Sequence, residues 1–134
     1  MMRPETVPGL IGLRVLIVED EMLVAYDIAM TLEDLGCEVI GPVPTLDEAL
    51  AAVGSESLDG VLLDANLDGT SSAPIADALV SRSIPFVVVT GYGGLRLPTE
   101  TLDAAPRVTK PYNLGELAET LTAVFSGSDS ADRQ

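Results

Sequence analysis

Acidic side chains stand directly after two dense apolar runs of the chain. Glu19 and Asp20 follow the first run, and Asp64 follows another. Three carboxylates brought within a few ångströms repel one another by roughly 4 kcal/mol per pair at 4 Å, for an effective dielectric of about 20. Such a cluster needs either protons or a cation, and Mg²⁺ suits a few carboxylates together with water and phosphate oxygens. The pattern therefore predicts a Mg²⁺ site.

A hydroxyl and an amine follow two further runs, at Thr90 and Lys110. Together with a metal ion, these groups can neutralise the charge on a phosphoryl group that is being transferred to a carboxylate. Asp64 follows the central run of the set, between the other groups, so it is the predicted nucleophile. The predicted product is an aspartyl phosphate.

The elements that position these groups are predicted from five short apolar runs. Continuous β-branched runs are typical of strands that are buried on both faces of a parallel sheet. The predicted strands cover residues 14–18, 38–41, 60–63, 86–89 and 107–109, the last being the shortest.

Helical patterns fill the gaps between the strands. Leu23, Ile28, Leu32 and Leu35 recur near helical spacing, and Gly36 is predicted to end that helix. The sequence T-L-D-E at residues 45–48 predicts a capping box and a helix that runs to residue 53, ended by the glycine at 54. Residues 74–80 predict a third helix, and Asn113 is the predicted N-cap of the last one.

Strand and helix thus alternate about five times, which predicts an α/β fold: a doubly wound, five-stranded parallel sheet with helices on both faces. In such sheets functional groups gather beyond the carboxyl ends of the strands. Residues 13–125 form the predicted domain, with a flexible leader at 1–12 and a flexible tail at 126–134.

Composition narrows the class of function. The formal net charge of −14 disfavours direct binding to nucleic acid, whose phosphates would be repelled. No apolar run approaches the roughly 18 residues of a membrane span. Cys37 is the sole cysteine, so an internal disulfide is impossible, which fits a reducing cytoplasm.

Four segments carry a family resemblance: RVLIVEDE, GVLLDANL, VVVTG and VTKPY. In this order they resemble the acidic, phospho-acceptor, hydroxyl and lysine segments of two-component response-regulator receiver domains, which have a flavodoxin-like fold. The resemblance implies a sensor histidine kinase as partner. It also implies a set of site residues: Asp64 as phospho-acceptor, Glu19 and Asp20 as Mg²⁺ ligands together with Asp64 and the Asn66 backbone carbonyl, Thr90 and Lys110 as phosphoryl contacts, and a cis peptide bond before Pro111.

A narrower resemblance is to the FAT GUY group of stand-alone receivers. It rests on the segments PFVVVTGYGG and TKPYNLGEL. Receivers of that group partner with histidine kinases of the HWE or HisKA2 type, often in general stress signalling. The downstream partner is not named by the sequence, which leaves a phosphate sink and an effector both open.

The chain departs from the family pattern at Arg107, where most receivers carry an aromatic switch residue. Tyr92 and Phe86 are candidate substitutes, and the ring of Tyr92 could also hinder water that attacks the acyl phosphate. Gly91 and the glycines after it predict a mobile segment over residues 91–105 that tightens on phosphorylation. Glu21 is predicted to serve the first turn of the following helix through the helix dipole, and the loop at Asp68 is expected to be unusually flexible.

Other functions are weighed against this one. The main alternative is a pseudo-receiver, a protein-interaction module without phosphotransfer. A phosphatase that turns over an external ester is disfavoured, because the sequence Asp64-Ala65-Asn66 lacks a second carboxylate two residues on. A nucleotide binder of the same topology is disfavoured because acids stand where a glycine-rich phosphate loop would follow the first strand. The expected chemistry is therefore self-phosphorylation and self-dephosphorylation, not enzymatic turnover.

Overall fold

The computed structural model describes residues 8–91, 97, 99–110 and 113–126. Within these ranges strands and helices alternate along the chain. The strands are Arg14–Val18 (β1), Glu38–Val43 (β2), Gly60–Asp64 (β3), Asn66–Leu67 (β4), Thr70–Ser71 (β5), Phe86–Thr90 (β6) and Arg107–Thr109 (β7). The helices are Met22–Leu35 (α1), Leu46–Ser55 (α2), Ala73–Ser81 (α3), Glu100–Ala104 (α4) and Leu114–Leu121 (α5).

Five strands form one parallel sheet in the order β2-β1-β3-β6-β7. The predicted doubly wound, five-stranded sheet is thus confirmed, and each predicted strand is present. The register brings the carboxyl ends level, since Asp64 lies opposite Val89 and Thr90 lies opposite Thr109. Side chains at or just after the carboxyl ends of β1, β3, β6 and β7 therefore lie at one edge of the sheet.

The core has two layers, one on each face of the sheet. Successive residues of β1 alternate between them: Val15 and Ile17 pack with α1 and α5, whereas Leu16 and Val18 pack with α2 and α3. This alternation is the expected period of two for a strand buried on both faces. Among the helices of the described ranges, none is long and apolar enough to cross a membrane.

The helix ends follow local chemistry. Gly36 caps α1 with a left-handed φ of 106°, as predicted, and the side chains of Thr45 and Asn113 accept hydrogen bonds from the first turns of α2 and α5. Leu23 lies within α1, as its spacing predicts, but it is 84% exposed. The predicted end of α2 is wrong: the helix continues through Gly54 to Ser55, because this glycine takes no left-handed turn.

A small antiparallel hairpin follows β3 and was not predicted. Strands β4 and β5 pair around Asp68 and Gly69, whose φ angles are 52° and 86°. Two positive φ values in an Asp-Gly pair are typical of the two-residue turn that matches the twist of a hairpin. The amide of Gly69 also donates to Asn66 Oδ1 at 2.6 Å. The segment beside Asp64 thus folds as a hydrogen-bonded turn, whereas its expected flexibility stays a prediction.

Packed structure begins inside the range predicted as a leader. Pro8–Leu10 forms a 3-10 helix, and Leu10 is fully buried in the core. At the other end, a π-helical turn, Thr122–Ser126, continues α5 and buries Phe125. The ring of Phe125 covers Gly60, where an added Cβ would lie 2.6 Å from a ring carbon. The first residue of β3 must therefore be small.

Arg14 ties together several segments at the amino end of the sheet. Its guanidinium donates to Glu38 at 2.7 Å and Glu56 at 2.8 Å, and also to the carbonyl of Ser57 at 2.8 Å. Its backbone amide donates to Asp59 at 2.8 Å. The start of β1 is thus linked to β2 and to the loop before β3.

Candidate functional site

Glu19, Asp20 and Asp64 meet at the carboxyl edge of the sheet, as the sequence predicts. One carboxylate oxygen from each lies within 4.8 Å of the others. Glu19 and Asp64 are 1% and 5% exposed, whereas Asp20 is only partly buried. Glu19 and Asp20 follow β1, and Asp64 is the last residue of β3, so the sheet fixes the backbone from which these carboxylates extend.

The ammonium of Lys110 stands among these acids. Its Nζ lies 3.3 Å from Asp64 Oδ2, 3.3 Å from Glu19 Oε1 and 3.0 Å from Glu21 Oε1. The Lys110 amide donates to the carbonyl of Thr90 at 2.7 Å, so β6 holds the backbone beneath this side chain. Burial alone would lower the pKa of Lys110. The hydrogen bond to Glu21 and the charges of Asp64 and Glu19 outweigh burial and raise that pKa, so the ammonium stays charged.

Glu19 is the most buried of the three acids. Its Oε2 accepts a hydrogen bond from the Glu21 amide at 3.1 Å. Its Oε1 is buried and, among the described residues, accepts no hydrogen bond, although Lys110 Nζ is 3.3 Å away. Burial raises the pKa of Glu19 to about 8, helped by a hydrogen bond to Asp64 and by the charge of that acid. The ammonium of Lys110 is therefore not enough to neutralise the three clustered acids.

This donor set fits Mg²⁺. Hard divalent ions take oxygen ligands, and the cluster offers three carboxylates, one with a buried oxygen that accepts no hydrogen bond in the described part of the chain. Asp20 and Asp64 open into a cleft of about 420 Å³ that Asn66, Asp68 and Gly91 also line. An acidic cluster of this kind is typical of a magnesium site in which water and a second ligand complete the metal shell.

The remaining predicted residues differ in how close they lie to the cleft. Thr90 lines it and is 1% exposed. Gly91 is exposed at its rim, and a Cβ added there would meet nothing within 4 Å. Tyr92 and Pro111, with the predicted cis bond, lie outside the described residues.

Arg107 does not line the cleft. Its guanidinium pairs with Asp103 Oδ1 at 3.0 Å and donates to the Asp103 carbonyl at 3.1 Å. The same carboxylate accepts from the amide of Leu97 at 2.8 Å, and the Leu97 side chain is buried. The residue that replaces the usual aromatic thus ties β7 to α4 and to the segment after β6.

Two residues of the cleft were not predicted as site residues. Glu21 is the N-cap of α1, yet its side chain makes no capping bond and instead accepts from Lys110 at 3.0 Å. Asp68 reaches the cleft through the β4–β5 turn. The Asp-Gly pair at 68–69 was the available signal for Asp68, because this dipeptide favours a two-residue hairpin. Nothing in the sequence separates Glu21 from an ordinary first-turn acid.

Comparison with known proteins agrees with this geometry. The family model of the response regulator receiver domain matches residues 15–122. The chain belongs to this family. It is therefore a receiver domain of two-component signalling rather than a conventional enzyme.

Several relatives of the receiver are known. The phyllosphere-induced regulator PhyR of Methylorubrum extorquens is 30% identical over 123 residues, which cover 90% of this chain and 46% of that protein. The crystal structure of PhyR from Brucella abortus matches with a TM-score of 0.80 and 31% identity, over 92% of this chain and 51% of that one. The receiver thus spans about half the length of the curated relatives it matches.

The solution structure of SdrG from Sphingomonas melonis Fr1 is a relative of similar size. It is 34% identical with a TM-score of 0.66, and the match covers 87% of this chain and 98% of that one. The receiver fold alone therefore accounts for nearly all of that solved chain.

Proposed function

We propose that this receiver accepts a phosphoryl group on Asp64 from a sensor histidine kinase, in a Mg²⁺-dependent reaction. One observation carries the proposal: the Asp64 carboxylate lies at the base of the acidic cleft with Lys110 Nζ 3.3 Å from its Oδ2. A carboxylate held beside a fixed ammonium and among metal-ligating acids is arranged as a nucleophile for phosphoryl transfer.

The transfer requires one bond to form and one to break. A carboxylate oxygen of Asp64 attacks the phosphorus of the kinase phosphohistidine, and a new P–O bond forms. The P–N bond breaks, and the histidine nitrogen leaves with the electron pair. Lys110 donates hydrogen bonds to the phosphoryl oxygens during the transfer to Asp64, and the hydroxyl of Thr90 provides a second donor.

Four groups would hold the metal: the carboxylates of Glu19, Asp20 and Asp64 and the backbone carbonyl of Asn66. When bound, Mg²⁺ supplies positive charge that the equatorial phosphoryl oxygens need. Asp20 is the most exposed of the three acids and lines the cleft, so the cluster is open to the cleft on the side of Asp20. A donor can enter from this side.

The narrower assignment belongs to the same proposal. The likeness to PhyR and SdrG and the motif PFVVVTGYGG support a FAT GUY-type receiver in stress signalling, with a kinase of the HWE or HisKA2 type in the cytoplasm. The phosphorylated receiver would bind a partner or drain phosphoryl groups from a shared kinase. Residues 13–125 are the proposed working domain, and the buried Leu10 packs against its core from the amino-terminal side.

Three residues are proposed to tune switching and lifetime. The ring of Tyr92 hinders water at the acyl phosphate, so Tyr92→Ala should shorten the phosphorylated lifetime, and an unchanged lifetime counts against this role. Gly91 gives the segment after β6 freedom to rearrange. Arg107 takes part in switching through its ion pair with Asp103 rather than by rotation of a ring.

Phosphorylation by acetyl phosphate with Mg²⁺ tests the proposal. Intact-mass spectrometry should show one added phosphoryl group, lost when EDTA replaces Mg²⁺ and lost in Asp64→Ala. Asp27→Ala is the matched control, because Asp27 is an exposed acid of α1 outside the cleft. A wild-type protein that takes up neither phosphoryl nor beryllofluoride is a pseudo-receiver, and the proposal is then wrong. Profiling against purified HWE-type kinases tests the narrower assignment.

A further inference from the structure

The ammonium of Lys110 is shared among three acids, and its shortest contact is with the one outside the metal cluster. Nζ lies 3.0 Å from Glu21 Oε1, against 3.3 Å for both Glu19 and Asp64. Lysine has three donors, so the unphosphorylated site already occupies this ammonium. A phosphoryl group that needs Lys110 must compete for it.

The backbone places Glu21 for this contact, and its side chain does not cap α1. Its φ and ψ of −88° and 107° are those of a helix N-cap, and its carbonyl accepts from the amide of Ala25 at 2.9 Å. Its amide donates to Glu19 Oε2 at 3.1 Å. The side chain makes no capping bond and is 61% exposed. The carboxylate therefore stands at the rim of the cleft, over Lys110.

The roles of the three acids diverge once a metal is bound. Glu19 and Asp64 belong to the carboxylate cluster that fits a cation, whereas Glu21 does not. Of these three acids, Glu21 is thus the one whose contact with Lys110 does not compete with metal ligation. An incoming phosphoryl group brings further negative charge close to the Glu21 carboxylate, and the two anions repel each other.

We propose that Glu21 is a positioning residue that acts through Lys110: it holds the ammonium in the unphosphorylated site and competes with the phosphoryl group for it. This inference rests on the proposed function. It makes Glu21 a brake on phosphorylation by small donors and on binding of phosphoryl mimics. The acid thereby raises the dependence of the receiver on a kinase, which supplies binding energy of its own.

Glu21→Gln tests the competition. The substitution keeps the shape of the side chain and removes its charge, so affinity for beryllofluoride and the rate with acetyl phosphate should rise about two- to fivefold, the range expected for one exposed ion pair. Both are measured at saturating Mg²⁺, by ¹⁹F NMR and by mass spectrometry on the full chain. Glu33→Gln is the matched control, since Glu33 is exposed on the same helix, about 18 Å along its axis.

Salt dependence separates competition for charge from a merely structural effect. Exposed charges are screened at short range when ionic strength rises from about 0.1 M to about 1 M. The gain in Glu21→Gln should therefore shrink toward one at high salt, while the melting temperatures of both variants stay near that of wild type. A gain that is equal in Glu33→Gln, or unaffected by salt, overturns the inference.

Two failures are distinguishable. If wild type accepts a phosphoryl group at Asp64 and Glu21→Gln matches or trails it, the competition is wrong and the proposed function stands. If wild type accepts no phosphoryl group, the proposed function itself fails, and this inference falls with it.

Discussion

Asp20→Asn should change the sign of its effect on stability when Mg²⁺ is added. Oxygens of Asp20 and Asp64 lie within 4.8 Å, so their unscreened repulsion is at least about 3.5 kcal/mol at an effective dielectric of about 20. Asp20 is partly exposed, and solvent screening reduces the gain from its neutralisation to about 1–2 kcal/mol. For a chain of 134 residues, this corresponds to a melting temperature about 4 to 7 °C higher than wild type in EDTA.

Magnesium should reverse that order. A ligand that binds only the native state at ten times its dissociation constant stabilises it by about 1.4 kcal/mol, or about 5 °C here. Wild type gains this stability, whereas Asp20→Asn has lost a ligand and gains much less. The two melting temperatures should therefore approach each other near ten times the dissociation constant and cross by about a hundred times, where the stabilisation of wild type reaches about 2.7 kcal/mol.

Differential scanning calorimetry in EDTA and in a Mg²⁺ series measures both effects. Asp27→Asn is the control, because it removes the same charge from an exposed position on α1 and should follow wild type at every Mg²⁺ concentration. The reasoning is refuted if Asp20→Asn is no more stable than wild type in EDTA. It is also refuted if Mg²⁺ raises both melting temperatures equally.

Three further predictions concern packing and the switch region. Gly60→Ala places a Cβ 2.6 Å from the ring of Phe125, so it should cost about 1–3 kcal/mol of unfolding free energy in urea titrations; an unchanged midpoint contradicts this. Cys37 is 7% exposed and burial raises the pKa of its thiol to about 11, so alkylation of the native protein should be slow at neutral pH and accelerate as pH rises toward 11; rapid neutral labelling contradicts this. Arg107→Ala removes the ion pair with Asp103 and should increase amide exchange at Leu97 without abolishing phosphorylation; unchanged exchange contradicts this.

The sheet and the metal cluster could be predicted from sequence because each depends on local order along the chain. Apolar runs gave the strands, and the parallel topology then forced the residues that follow them to one edge. Glu19, Asp20 and Asp64 met there as predicted. Because the carboxyl ends of parallel strands lie at the same edge of a sheet, residues far apart in the sequence could be predicted to lie close together.

Contacts between side chains of different elements could not be predicted in the same way. Glu21 and Lys110 are 89 residues apart, and their ion pair depends on a rotamer at the rim of a cleft. Leu23 fits the helical period of α1 but faces solvent, because a period does not fix which arc of a helix meets the sheet. The Asp68-Gly69 turn was readable from its dipeptide, and it was missed because two-residue strands leave no apolar run.

The two ends of the sheet carry opposite electrostatic characters. At the amino end, Arg14 gathers Glu38 and Glu56 into ion pairs; at the carboxyl end, acids crowd against one another. Added salt should therefore weaken the ion pairs at the amino end and also weaken the repulsion between carboxylates at the carboxyl end. The two effects oppose each other, so global stability should change little while local fluctuations increase at the amino end and decrease at the carboxyl end. The Arg14 ion pairs thus lie at the end of the sheet opposite the acidic cleft. The residues around the cleft can therefore rearrange without breaking these ion pairs.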